Sequence, residues 1–262
     1  MPEISNDELH ARMRDFYLGF NRVIVWFSCG EASAIAARLT VQKYPLRTEI
    51  VYCDTLATEH PDNARFLRDV SQWCDKAITV IRSTEYRDID DVFDRTRYMA
   101  GIKGARCTTE MKKVPRNEFQ RADDLHVFGF TADKSERNRL AAFRQNNPEL
   151  RILDLLGDQH VYKSHCAIIL RAAGIKRPAM YALGFDHNNC LGCVKATSPG
   201  YWVKVARNFP DVFKRRCEQS RELGVRLVRV RGERIFLDEL DLTAKYRGDD
   251  GDIECGPYCA TR

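Results

Sequence analysis

The chain has 262 residues, 44% hydrophobic and 30% charged, with a formal net charge of +5. That suits one globular domain of moderate size, or a domain with an appendage, and excludes a disordered or fibrous chain. No apolar run approaches the ~18 residues of a membrane span, the first ten residues lack the apolar centre of a signal peptide, and both charge signs are mixed instead of forming the dense basic stripe of a dedicated DNA-binding protein.

A cytoplasmic protein with no membrane partner is therefore expected. Ten cysteines are many for such a chain. In a reducing compartment they do not imply a disulfide framework. Cys53, Cys74, Cys166 and Cys217 sit inside apolar or helical patterns and read as core residues.

In chain order, residues 5–20 read as a short amphipathic helix. Strands are then predicted at 22–27, 48–53, 77–81 and 125–130, alternating with helices at 31–43, 61–74, 88–98 and 134–146. Further helices are predicted at 163–173 and 201–222. The alternation predicts an α/β fold: a doubly wound, mostly parallel sheet with helices on both faces. Ligands of such sheets bind outside the carboxyl ends of the strands. Ser28, Asp54 and Thr131 each lie just past a strand end and are expected to face one crevice. After about residue 155 the strand signal fades. The expected organisation is an α/β nucleotide-binding core over 1–160, a helical, cysteine-containing region over 161–245 with a hairpin at 225–237, and a polar tail over 246–262 ending in "IECGPYC".

The stretch "FSCGEASA" (27–34) follows the first strand and opens the first core helix. Small hydrogen-bonding residues there make a cradle of backbone N–H groups suited to an anion; an ordinary turn capped by Ser28 is the plainer alternative. Cys190-Leu191-Gly192-Cys193 is the sharpest local signal, since two thiols around a two-residue spacer can share a metal. Cys107 and the pair Cys255/Cys259 are the candidates to complete that site. Arg106, Lys112 and Lys113 near Cys107 favour its thiolate. Asp54 offers a carboxylate for Mg²⁺ or a ribose hydroxyl, or else a turn cap. Lys134, Arg137 and Arg139 in "GFTADKSERNR" form a basic cluster at a helix start, fit for an anion or simply solvated.

Taken together these segments resemble the phosphoadenosine-phosphosulfate (PAPS) reductase family, within the PP-loop ATP pyrophosphatase and adenine nucleotide alpha-hydrolase group. The resemblance covers most of the chain in order. "FSCGEAS" resembles the PP-loop through Ser28, Gly30 and Ser33. "CDTLATEHPDNARF" resembles the family's "DTG…PET" segment through Asp54, Thr55 and Pro61. "RCTTEMKKVP" resembles the "CC…RK…P" segment, with Cys107 at the first cysteine and Thr108 at the second. "GFTADKSERNR" and "NCLGC" resemble the downstream basic and paired-cysteine segments. "IECG" resembles the end that carries the reductase nucleophile.

The resemblance implies an enzyme that binds an adenine nucleotide (ATP, APS or PAPS). It also implies a four-iron iron–sulfur cluster and a tail nucleophile, Cys255, that attacks sulfur before a thioredoxin-like thiol donor releases sulfite. Cys107, Cys190 and Cys193 would hold the cluster, with Cys259 as a candidate fourth ligand. Alternatively Cys190, Cys193, Cys255 and Cys259 close a zinc site. Cys29 replaces a PP-loop glycine, Ala32 the acid of the pyrophosphatase motif, Leu56 the glycine of "DTG", and Thr131 an expected arginine. Three readings follow: a thiol-dependent sulfonucleotide reductase; an adenylating sulfur transferase, with Mg²⁺ and a cysteine desulfurase, that thiolates DNA or tRNA; and a zinc-stapled nucleotide-binding module without turnover. The oligomeric state is not legible.

Overall fold

The computed structural model of the chain describes residues 19–101 and 104–246. Strand β1 (Val23–Phe27) leads into helix α1 (Glu31–Lys43), strand β2 (Thr48–Cys53), helix α2 (Asn63–Cys74) and strand β3 (Ile78–Ile81). Helix α3 (Ile89–Thr96) precedes a helical run made of Arg106–Thr108, a π-helical turn Thr109–Lys113, and Val114–Phe119. Strand β4 (Leu125–Val127), helix α4 (Lys134–Asn146), strand β5 (Arg151–Leu153) and helix α5 (Lys163–Ala172) follow. Helices α6 (Pro199–Asn208) and α7 (Pro210–Glu222) then lead to strands β6 (Val228–Val230) and β7 (Glu233–Ile235).

The fold is α/β, and the chain packs as two compact units that interleave along the sequence. Of the described residues, the first takes those up to Tyr52, Arg68–Val80 and Phe119–Ile175; the second takes Cys53–Leu67, those between Ile81 and Glu118, and those from Lys176 to Tyr246.

The first unit is built on a five-stranded sheet of order β3-β2-β1-β4-β5. Strand β1 pairs in parallel with β2 and β4, and β5 in parallel with β4. All five residues of β1 are buried, as a strand covered on both faces requires. Inside the sheet the Trp26 indole N–H donates to His126 Nδ1 at 3.1 Å, which satisfies the one polar atom of a fully buried ring. At the opposite end of the strand the Arg22 guanidinium bonds both Asp124 oxygens (2.9 and 2.8 Å) and Glu49 (2.9 Å). The chain winds outward from β1 to β3 and then returns to place β4 on the other side of β1. The carboxyl ends of β1 and β4 therefore flank a topological switch point, where ligands of such sheets bind.

The second unit has its own apolar cluster, in which Phe93, Met111, Met180, Trp202, Val228 and Leu237 are buried. Helix α3 enters it through Ile89, Val92 and Phe93, and its N-cap Asp88 accepts the Asp91 amide at 2.9 Å.

Several elements depart from the sequence reading. The helix expected over 201–222 is two helices, because Pro210 has no amide hydrogen to continue the first; Phe209 closes α6 by donating to the Val205 carbonyl at 2.8 Å. The strand expected over 125–130 leaves the sheet after Val127. Strand β5 and the helical run 106–119 were not expected, the first because it is three residues long between charged neighbours, the second because Pro115 interrupts its pattern. Residues 5–18 of the first expected helix lie outside the described residues. Among the described residues no helix is long and apolar enough to cross a membrane.

Candidate functional site

The turn between β1 and α1 is held by one hydroxyl. Ser33 Oγ donates to the Gly30 carbonyl at 2.9 Å, accepts the Ser28 amide at 3.2 Å, and lies 3.3 Å from Ser28 Oγ. Helix α1 begins after Gly30, which has no side chain to cap it. Cys29, fully buried, has φ 57, the left-handed region that disfavours a residue with a Cβ. The turn thus places a cysteine at a backbone position of glycine-like conformation. Glu31, one residue before Ala32, is the carboxylate that the fold buries at the helix start.

Gly129, two residues past β4, abuts this turn. A Cβ there would lie 2.8 Å from the Ser33 amide nitrogen and 3.0 Å from its Cα. No side chain fits, so Gly129 sets how closely the ends of β1 and β4 approach. Beyond it Thr131 is buried, and its hydroxyl donates to Asp133 at 2.7 Å. Burial pushes the Asp133 carboxyl up, but the Lys163 amide (2.7 Å) and the Thr131 hydroxyl outweigh it and hold the group below its ordinary value.

The basic cluster is not uniform. Arg137 is engaged with the Thr131 carbonyl (2.9 Å), the Phe130 carbonyl (3.0 Å) and Asp154, so it ties the segment after β4 to the loop after β5. Arg139 pairs with Glu136 at 2.6 Å and lies over the Phe130 ring. Lys134 is exposed at the first residue of α4.

In the second unit Asp54 takes the capping role. Its Oδ1 accepts the Leu56 amide at 3.2 Å and its Oδ2 pairs with Arg82 at 3.2 Å. Sequence reasoning missed what lies next to it. Glu59, 5% exposed, accepts the Thr55 hydroxyl at 2.6 Å and the Asn63 amide group at 2.7 Å; Asn63 in turn accepts from Asn188 at 2.8 Å. The Leu191 amide donates to the Thr58 carbonyl at 2.8 Å. A buried polar network thus joins the segment after β2 to the Cys190–Cys193 turn. The only trace in the sequence was the density of short polar residues in "TEHPDN" and "HNN".

Cys107, Cys190 and Cys193 belong to one buried apolar cluster. The Cys190–Cys193 turn is fixed on three sides. Gly192 has φ 63, and a Cβ there would lie 2.9 Å from Val212 and 3.1 Å from Arg216. The Cys193 amide donates to the Tyr201 hydroxyl at 2.8 Å. The Arg216 guanidinium, fully buried, donates through Nε to the Gly192 carbonyl at 3.1 Å and through Nη1 to Asp90 and Gln219. Its Nη2 is buried without a partner among the described residues. Among those residues no group of three or more His, Cys, Asp or Glu side chains is drawn together as a metal site. Cys255 and Cys259 lie outside them. The donor set still fits a thiolate-held centre: two soft ligands on a rigid turn, a third thiol in the same cluster, and a buried cation with a spare donor, which suits an anionic metal–thiolate group.

The cations expected to activate Cys107 have other partners or company. Arg106 pairs with Glu110 at 2.8 Å. Burial, and then the nearness of Arg116 and Lys195, hold the Lys113 ammonium below its ordinary value. Of the four cysteines read as core, Cys53, Cys74 and Cys166 are buried and Cys217 is half-buried. Burial pushes the Cys74 and Cys217 thiols up to about 11, which makes both poor nucleophiles at neutral pH.

No protein-family model matches the sequence, and no curated protein sequence matches it. Among solved structures the chain is similar to a phosphoadenylyl-sulfate (PAPS) reductase from Candida auris, solved as a phosphate complex, with a TM-score of 0.51 and 8% identity over 72% of this chain and 97% of that one. At that identity the likeness is one of fold.

Proposed function

We propose that the chain is a sulfonucleotide reductase that binds APS or PAPS at the β1–α1 turn and reduces it to sulfite. One observation carries this reading. The Ser28–Ser33 turn sits at the switch point of the sheet, braced by Gly129, in a chain whose fold is similar to that of a PAPS reductase. Ser28, Gly30 and Ser33 would hold an anionic part of the nucleotide. Lys134, exposed at the start of α4, is the candidate for its remaining charge.

Cys107, Cys190, Cys193 and Cys259 would hold an iron–sulfur cluster, which would supply a polarisable sulfur-rich centre when bound. The Cys255 thiolate attacks the sulfur of the substrate, the S–O bond to the phosphate breaks, and the adenylate leaves with that oxygen. The S-sulfonated Cys255 is then attacked at its Sγ by a thiol of a thioredoxin-like donor. Sulfite departs with the electron pair of the S–S bond, and the donor's second thiol closes its own disulfide to free Cys255.

The test is sulfite release from APS and PAPS by anaerobically purified protein, with a dithiol donor. Turnover that Cys255→Ser abolishes, with iron and labile sulfide both present, supports the reading. Full turnover by Cys255→Ser overturns it. ATP–pyrophosphate exchange stimulated by DNA or tRNA would instead assign the fold to nucleic-acid thiolation, and redox-silent zinc without turnover to a binding module.

A further inference from the structure

The β6–β7 hairpin concentrates exposed arginines on a short ribbon. Residues 226–234 hold four arginines and one acid, in a protein whose whole net charge is +5. The hairpin register sets Arg229 directly opposite Arg234, with Val228 opposite Ile235 and Val230 opposite Glu233. Side chains alternate across a sheet, so the valines and Ile235 share the face that packs on the apolar cluster, and the two arginines share the other. Like charges directly opposite each other destabilise a ribbon. The two-residue turn adds a second conflict. Arg231 and Gly232 have φ 51 and 93, a pattern that favours Asn-Gly, and this chain places an arginine at the left-handed position instead.

Arg226, Arg229, Arg231 and Arg234 are all exposed. Among the described residues no carboxylate pairs with any of them, whereas the neighbouring Arg221 pairs with Asp238 and Glu239 at 2.8 Å. Arg221 and Arg226 also flank the ring of Phe236, at 4.0 and 5.2 Å from its centre. Arg234 Nη1 donates to the Arg226 and Leu227 carbonyls at 3.2 and 3.5 Å, which holds its guanidinium along the ribbon, while Arg229 and Arg231 stand exposed on the ribbon and at its tip.

We infer that this hairpin is a nucleic-acid-binding finger that engages the phosphate backbone of a duplex, with Arg229 and Arg234 along the ribbon and Arg231 at its tip. A two-stranded ribbon has the width to enter a major groove, and arginine forks match phosphate oxygens. Cross-strand repulsion and the strained turn, both unfavourable in the free protein, are relieved in part by a polyanion laid against that face. The inference stands apart from the nucleotide reading, since the hairpin takes no part in holding the nucleotide.

The test is fluorescence anisotropy of the full-length protein with a labelled mixed-sequence DNA duplex, across a KCl series. The triple substitution Arg229→Ala/Arg231→Ala/Arg234→Ala is compared with Lys43→Ala/Arg121→Ala/Lys163→Ala, which removes the same charge elsewhere. The hairpin variant is expected to bind at least about tenfold more weakly and to flatten the log–log salt slope by roughly 0.9 for each phosphate it no longer neutralises, while the control changes little. Arg231→Asn, which suits the turn, is expected to keep or raise the melting temperature yet weaken binding, which separates charge from folding. The inference is overturned if the wild type does not bind the duplex, if both triple variants weaken equally, or if phosphatidylserine vesicles bind the hairpin more tightly than the duplex does.

Discussion

Gly129 and Ser33 meet backbone to backbone: a Cβ on Gly129 would stand 2.8 Å from the Ser33 amide nitrogen. The end of β4 and the start of α1 are therefore fixed against each other without a side chain between them. Gly129→Ala must push the Ser28–Ser33 turn out of place. It is expected to destabilise the fold by about 1–3 kcal/mol, the range for overpacking a tightly packed site, and to weaken adenine nucleotide binding beyond what the reduced stability explains. Urea unfolding and calorimetric titration check both. An unchanged nucleotide affinity would separate this turn from the ligand.

Glu59 accepts from Thr55 and Asn63 inside the second unit. Glu59→Gln keeps the shape but turns one acceptor into a donor facing a donor. The expected loss is about 1–3 kcal/mol, because a buried polar group is left unsatisfied. Since Asn63 continues to Asn188, two residues before Cys190, the same variant is expected to retain less metal after purification. Normal stability with normal metal content would reduce Glu59 to an ordinary cap.

Asp62 links the same segment to the chain after Lys176. The Arg65 guanidinium (2.7 Å to both oxygens) is the main cause that holds its carboxyl below the ordinary 3.8, against burial, and the Ala179 amide (2.9 Å) adds to it. A carboxyl depressed in the folded state contributes stability that is present above its unfolded value and lost as pH falls through the folded one. The contribution of Asp62 is therefore expected at neutral pH and to fade only below about pH 4. Asp62→Asn is expected to lower stability at pH 7 and to flatten this part of the acid limb in pH-dependent denaturation. Parallel curves for the two proteins would contradict the assignment.

Arg216 ties the Cys190–Cys193 turn to Asp90 and Gln219. Arg216→Met leaves Asp90 with Arg215, 3.1 Å away, so the loss is expected near the lower end of the ~3–5 kcal/mol seen when a buried pair is broken. Arg216→Lys is not expected to rescue it, because an ammonium cannot serve Gly192 and Asp90 from one planar fork. The visible absorption of the anaerobic protein is the second readout. A variant that keeps its colour and its iron would confine Arg216 to packing.

Much of this was legible in the sequence for physical reasons. Helices α1 and α4 and strand β2 stand where the periodicity puts them, because long apolar patterns outweigh local exceptions. The Ser28–Ser33 turn was visible as small residues after a buried strand. Its geometry was not: Cys29 hides a left-handed position that a glycine would have announced. Arg137 looked like an anion ligand, yet its guanidinium is engaged by Asp154 and two carbonyls, partners that only the tertiary fold brings to it. The Glu59 network and Arg216 were invisible for the same reason, since Asn63 and Asn188 are 125 residues apart and Arg216 lies 24 residues beyond Gly192.

The most direct measurement is intact-mass spectrometry of anaerobically purified protein after incubation with APS or PAPS in the absence of any thiol donor. A sulfonucleotide reductase is expected to gain a single added sulfonate, mapped to Cys255, absent from Cys255→Ser and removed by a dithiol with release of sulfite. Bound nucleotide with no adduct on the wild-type protein, at full iron and sulfide content, would contradict sulfonucleotide reduction.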